Sequence, residues 1–305
     1  MKFAARLGAV VASSDGVALR SVLKERMTNP IADPFVEGPD TDTQSDLVRI
    51  EATPEGAVTV VIARAGKKNA FSAEVIAALR EAFETLHAAD GVWIVFVTGE
   101  GGNFSAGADL EWMRSAGDLT EADNRDDAMQ MAIMLKHLHD LPCLTVALVE
   151  GGAYGGGAGL VAACDMAIAT KDARFAFSEV KLGLIPATVS PYVVAAVGAR
   201  RARALFAHGR VFNAEHAREI GLVDEVVEDA QALDASRDRL AADVMACAPG
   251  AVADAKRLVS AVAGREIDHS LMDDTARRIA RARVGSEGRE GVEAFLGRQK
   301  PGWAL

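Results

Sequence analysis

Short β-branched runs alternate with longer stretches of helical period from about residue 46 onward. Residues 58–63 are almost continuously apolar and β-branched, which predicts a buried strand. Ser72 is placed to cap a helix whose apolar stripe is Val75, Ile76, Leu79, Phe83 and Leu86. Residues 92–98 predict a second strand, and a glycine-rich loop over 99–109 follows it. A helix is expected over 122–139, stopping before Pro142. Residues 144–149 predict a third strand, which leads into a second glycine-rich loop over 151–159. A short helix to Cys164 and a strand over 165–169 come next. Beyond residue 198 helical periodicity dominates. Strands with interspersed helices, followed by a helical tail, predict a mixed α/β core with a helical extension.

The first 45 residues do not share this pattern. Residues 1–26 carry Lys2, Arg6, Arg20, Lys24 and Arg26 against Asp15 and Glu25. Residues 27–51 reverse the sign, with six acids against Arg49, and Pro30, Pro34 and Pro39 punctuate them. Residues 1–45 are therefore expected to be a poorly structured leader. Arg6 interrupts the short apolar run that a secretory signal would need, and Asp15 does not exclude an organelle-targeting leader. The preferred reading is that translation begins at Met27. The organisation expected is a leader over 1–45, an α/β core over 46–200 and a helical region over 201–305.

Composition narrows the function classes. Half of the 305 residues are hydrophobic and a quarter are charged, enough for a large core. Aromatics make up 5%, so the core packs through small side chains. The net charge of -10 disfavours an extended nucleic-acid surface but leaves room for a small anionic ligand on a local basic patch. No apolar run is long enough for a membrane span. Cys143, Cys164 and Cys247 are scattered, with no CxxC pair, so neither a disulfide framework nor a zinc site is expected. Buried, reduced thiols in a cytoplasmic protein are expected instead. The six histidines have no partner at metal or triad spacing, and no Gly-x-Ser-x-Gly elbow is present.

The two glycine loops carry the candidate chemistry. Each follows a strand and precedes a helix, so backbone N–H groups can approach a ligand closely. Neither contains the Gly-Lys-Ser/Thr of a P-loop. Only about two helical turns separate Gly157 from Asp165, too few for the crossover helix of a dinucleotide fold. An oxyanion hole fits better: two N–H donors converging on a carbonyl oxygen that gains charge, as in a thioester enolate. Tight turns without function are the competing reading of either loop alone.

Five pieces in order carry a resemblance. They are Asn-Ala-Phe-Ser at 69–72, Phe-Ser-Ala-Gly-Ala-Asp-Leu at 104–110, Gly-Gly-Gly at 155–157, Phe-Ala-Phe-Ser-Glu-Val-Lys-Leu-Gly-Leu-Ile-Pro at 175–186, and Glu-Gly-Val-Glu-Ala-Phe-Leu-Gly-Arg-Gln-Lys-Pro at 290–301. Over about 47–303 the chain resembles the enoyl-CoA hydratase/isomerase (crotonase) family. Within it, residues 178–192 are most similar to bacterial methylglutaconyl-CoA hydratases, which act in leucine breakdown. The resemblance implies a ββα spiral core with a C-terminal helical trimerisation region. It also implies a homotrimer or dimer of trimers and no separate cofactor, coenzyme A entering as part of the acyl-CoA substrate.

The same resemblance implies roles. The Ala108 and Gly156 N–H groups would form the oxyanion hole, and Glu179 would be the acid–base residue. Lys67 and Lys68 suit the CoA-phosphate region, and the Ala106 carbonyl would meet the adenine. Ala70, Asp109, Leu110, Tyr154, Gly155 and Ser178 fall on substrate-binding segments. Phe295 and Arg298 match positions that reach a neighbouring subunit's CoA site. Solvated surface charges are the competing reading of Lys67, Lys68 and Arg298. Tyr154 and Trp112 would line the acyl pocket or simply pack in the core.

One departure stands out. Two-glutamate hydratases carry a second Glu three residues after the middle glycine, where this chain has Gly159. Either Glu179 then handles both water and proton, or a distal carboxylate of the substrate assists, with Lys181 or Arg114 as its partner. Glu111 is a weaker candidate and suits a helix surface. The single glutamate also fits a double-bond isomerase. An RNA-binding role, known for some relatives, is opposed by the acidic charge.

Overall fold

The computed structural model describes residues 47–304. The leader expected over 1–45, and with it the preferred start at Met27, lies outside the described residues. Val48–Ala52 (β1) pairs antiparallel with Ala57–Ile62 (β2). Parallel strands Ile94–Gly99 (β3), Leu144–Val149 (β4), Met166–Thr170 (β6) and Glu225–Val227 (β9) continue the sheet in the order β1-β2-β3-β4-β6-β9. A three-stranded sheet is formed by Gly152–Tyr154 (β5), Arg174–Ala176 (β7) and Phe212–Asn213 (β8). The chain crosses from the large sheet to the small one after β4 and again after β6, then enters helical structure. Ser105, after β3, makes an isolated parallel bridge to Ala153 of β5. The repeated unit is thus a long strand, a short strand or bridge, and a helix.

Helices cover the outside of these turns. Ala73–Ala88 (α1) begins where the Ser72 side chain accepts from the Val75 N–H, and it buries the whole predicted stripe. Leu110–Ala116 (α2) and Glu121–His139 (α3) follow β3. Gly156–Ala163 (α4) joins β5 to β6. Ser190–Val197 (α5), Ala199–His208 (α6) and Ala214–Ile220 (α7) follow β7. The tail is Ala230–Met245 (α8), Pro249–Val262 (α9), His269–Val284 (α10) and Ser286–Leu296 (α11). Val60, Ile62, Val95, Val97, Ala147 and Val149 of the large sheet pack with Leu79, Phe83, Leu135 and Leu138 in one core cluster.

The region beyond residue 200, read as helical, also supplies β8 and β9, each completing a sheet. Two or three residues are too few to show a period of two. The cysteines differ in setting: Cys143 is buried, Cys164 half-buried and Cys247 exposed. Burial pushes the Cys143 thiol up to about 11, so it stays protonated. Among the described residues no helix is long and apolar enough to cross a membrane.

Asn69 fastens the loops at one end of the large sheet. It is fully buried with φ 56°. Its Oδ1 accepts from the Arg64 N–H at 3.0 Å. Its Nδ2 donates to the carbonyls of Glu100 at 2.9 Å and Asn103 at 2.6 Å. Its own carbonyl accepts from Ser105 Oγ at 2.8 Å. Asn69→Ala leaves one backbone donor and two backbone acceptors without these partners, so a loss of about 3 kcal/mol is expected. Urea denaturation of the full chain checks this; a loss under about 1 kcal/mol contradicts the fastening role.

Candidate active site

The Asn69 network ends at two backbone donors. Ser105 Oγ, bonded to the Asn69 carbonyl, accepts from the Gly107 N–H at 3.2 Å. The next residue, Ala108, is bridged to Phe71: Phe71 N–H donates to Gly107 O, and Asp109 N–H to Phe71 O. The parallel bridge leaves the Ala108 N–H pointing elsewhere, with no partner among the described residues. Gly107 must be glycine here. Its φ is 86°, and a Cβ on it would fall 2.7 Å from the Tyr154 carbonyl oxygen.

The second donor starts α4. Gly155, at φ 50°, donates its N–H to Ala176 O and turns the chain into the helix. Gly156 N–H is the first of the helix's unpaired donors, at the positive end of the helix dipole. The two loops touch: a Cβ on Gly107 would lie 3.7 Å from Gly155 Cα. Room at Gly156 is tight, since a Cβ there would stand 3.1 Å from both Met131 Cε and Phe71 Cδ2.

Glu179 opens a short 3-10 turn, Glu179–Leu182, closed by Gly183 in the left-handed region. The turn aims the carboxylate at the second loop, with Oε1 3.2 Å from where a Cβ on Gly155 would be. Its Oε2 is buried without a hydrogen-bond partner. Burial raises the Glu179 pKa above the ordinary glutamate value, opposed by its own backbone N–H. Ala108, Gly156 and Glu179 all line one cavity of about 840 Å³. Phe71, Met113, Met131, Leu184 and Ile185 make much of the rest apolar.

The other expected site residues spread around this cavity. Lys67, Lys68 and Ala106 are exposed on neighbouring loops, joined by the Ala106 N–H to the Lys68 carbonyl. Lys67 Nζ stands 3.6 Å from Glu111, an exposed pair of little energetic weight. Asp109 is buried and structural: it accepts from Arg64 Nη1 at 2.6 Å and caps α2 through the Glu111 and Trp112 N–H groups. These bonds hold its carboxyl below the usual range against the opposing effect of burial. Ala70 is buried and its carbonyl accepts from Arg64. Leu110 is 75% exposed. The Tyr154 ring lies over Gly152 and does not line the cavity. Ser178 precedes the 3-10 turn and accepts from the Lys181 N–H. Phe295 and Arg298 are exposed at the end of the tail, away from the cavity lining.

Two features escaped the sequence. Val189 occupies the space in front of position 159: a Cβ on Gly159 would fall 2.0 Å from Val189 Cγ1. Asp127 lines the cavity, half-buried, and burial raises its pKa against a hydrogen bond from the Trp112 indole. The legible signal for Asp127 was position. The buried stripe Met131, Leu135 and Leu138 of α3, extended back by one turn, lands on it.

Residues 52–304 match the sequence profile of the family described as enoyl-CoA hydratase/isomerase. A putative enoyl-CoA hydratase of Thermus thermophilus is 33% identical over 237 residues, 77% of this chain and 92% of that protein. The crystal structure of a putative enoyl-CoA hydratase/isomerase (crotonase) from Legionella pneumophila is 40% identical with a TM-score of 0.80, covering 85% of this chain and 99% of that one. Pseudomonas aeruginosa AtuE superposes with a TM-score of 0.81 at 34% identity, covering 85% of this chain and all (100%) of the other.

A raised carboxyl pKa has a signed consequence for stability. Between the ordinary and the raised values the folded state holds a proton the unfolded state has lost, so stability falls as pH rises through that window. Glu179→Gln does not ionise and escapes the loss. Its melting temperature is expected to gain on the wild type from pH 4 to pH 7. A difference that stays flat or shrinks over that range contradicts the burial assigned to Glu179. The Val189 contact makes a second prediction. Gly159→Ala is expected to cost about 1–3 kcal/mol by overpacking, and Val189→Ala in the same chain to recover most of it.

Proposed function

The chain belongs to the enoyl-CoA hydratase/isomerase (crotonase) family, an enzyme family with a crotonase-like α/β fold that acts on acyl-CoA thioesters, and from that premise we propose that it hydrates a branched 2-enoyl-CoA of the methylglutaconyl-CoA type. The observation that carries the reading is the pair of unpartnered N–H groups, Ala108 and Gly156, on the wall of the cavity that also holds the Glu179 carboxyl. A thioester carbonyl bound there accepts both hydrogen bonds. When water adds at C3, charge gathers on that oxygen and the fixed donors stabilise it without reorganising. Glu179, whose pKa burial raises, is placed to deliver the proton to C2. The side chains at 108 and 156 matter only by being small.

The cavity wall bears on the acyl group. Its ionisable residues, Asp127 and Glu179, are both acids. Lys181 and Arg114 are exposed and are not among the lining residues. A distal carboxylate, such as methylglutaconyl-CoA carries, would therefore take its counter-charge from beyond this wall. Lys67 and Lys68 support a phosphate-binding edge beside the first donor loop. The exposed apolar residues Met272, Ile279, Val284, Val292, Phe295 and Leu296 on α10 and α11 support assembly of the tail into a trimer or dimer of trimers. The unpaired cysteines support a reducing, cytoplasmic setting.

A second reading has its own observation. Val189 fills the space in front of position 159, so the second glutamate of two-carboxylate hydratases has no room there. Glu179 alone could move one proton between C4 and C2, as a double-bond isomerase does. A panel of enoyl-CoA thioesters with mass detection separates the two: hydration adds the mass of one water, isomerisation adds none. Gly156→Val is expected to lose at least about 100-fold in turnover while its melting curve stays cooperative, because the side chain covers the donor. Turnover within about threefold of the wild type would falsify the role of Gly156.

A further inference from the structure

Hydration needs a group to hold and deprotonate water, and Gly159 has no side chain to do so. Around the cavity the acids are Glu179 and Asp127. On α3, Met131 reaches Gly156, its Cε 3.1 Å from the site of a Cβ there. Asp127 lies four residues earlier on the same helix face, about one pitch of 5.4 Å along the axis. Its placement is built. Asn124, one residue short of a turn before it, donates through Nδ2 to the carbonyls of Ala116, Leu119 and Thr120. That clasp fixes the start of α3 against the end of α2, and α2 carries Trp112, which lines the same cavity as Asp127. A carboxylate offers about four acceptor sites, so it has the capacity to hold a water. An acid in a largely apolar wall costs desolvation energy, which a surface role would not require.

We infer that Asp127 is the base that holds and deprotonates the water added to C3, in place of the carboxylate that position 159 lacks. The inference rests on the hydratase reading. With the thioester oxygen on the Ala108 and Gly156 N–H groups, a water oxygen bonds to C3 as its proton passes to Asp127. The C2–C3 π pair moves toward the carbonyl and gives the enolate. The enolate collapses, C2 takes the proton of the Glu179 carboxyl, and the carbonyl is restored. The product has gained H and OH. Asp127 is left protonated and Glu179 ionised, and the proton returns between them through solvent.

The test compares full-length wild type, Asp127→Asn, Asp127→Glu and Glu179→Gln with a branched 2-enoyl-CoA, detecting hydrated product by mass. Affinity for the saturated branched acyl-CoA is measured alongside. Asp127→Asn is expected to lower kcat by about 100-fold or more, the range of a lost general base. KM and the affinity for the saturated ligand should stay within about threefold. Asp127→Glu, which keeps a carboxylate, should recover at least about tenfold of the lost kcat. Asp127→Asn turning over within about threefold of wild type overturns the inference and leaves the hydratase reading intact. Equal loss in both Asp127 variants, together with weakened binding, also overturns it, since that is the signature of a structural residue. A wild type that gives no hydrated product from any enoyl-CoA overturns the hydratase reading, and the inference with it.

Discussion

The side-chain amide of Asn69 governs the geometry of this molecule. One buried group joins the segment after β2 to the loop after β3, and its backbone carbonyl holds Ser105 in place. Ser105 then bonds the Gly107 N–H and bridges to β5. From that point the first donor, at Ala108, and the second, at Gly156, are related by backbone contact alone. The second loop reinforces this closeness, since Gly157 sits where a Cβ would press within 2.8 Å of Ser105 Cβ. Backbone donors cannot be re-aimed by rotamers, so a site built from them is as rigid as the strand ends that carry it.

Rigidity at the carbonyl end contrasts with economy at the acid end. Glu179 is placed by a single 3-10 turn and keeps one oxygen buried without a partner. An unpartnered buried oxygen costs stability, and the same burial shifts the carboxyl toward its protonated form. The Arg64–Asp109 pair makes the opposite choice. Its carboxylate is buried, bonded to Arg64 and to two N–H groups of α2, and it anchors α2, which brings Trp112 to the cavity.

Much of this was legible in the sequence, and the rest fails to be for physical reasons. The strands of the large sheet and the stripe of α1 follow from local periodicity, because each segment buries one face against a common core. Glu179 and the two donor loops were reached through motifs whose spacing reflects the chain's path over both sheets. β8 and β9 are two and three residues long and carry no period. Asp127 is one acid among several near the start of α3, and only tertiary packing turns its face toward the cavity. Val189 was invisible for the same reason: it meets Gly159 from thirty positions further along the chain, past β6 and β7, and glycine gives no hint of what fills the space it leaves. Asp109 shows the converse, a motif residue whose side chain serves the fold.

The proposed hydration requires the Ala108 and Gly156 N–H groups to receive the thioester oxygen jointly. A crystal structure of the full chain with a non-reactive branched acyl-CoA tests it most directly. The thioester oxygen is expected at about 2.7–3.1 Å from both nitrogens, with the acyl chain running past Glu179. A thioester carbonyl bonded to neither nitrogen, or an acyl chain lying outside the Glu179 cavity, would contradict it.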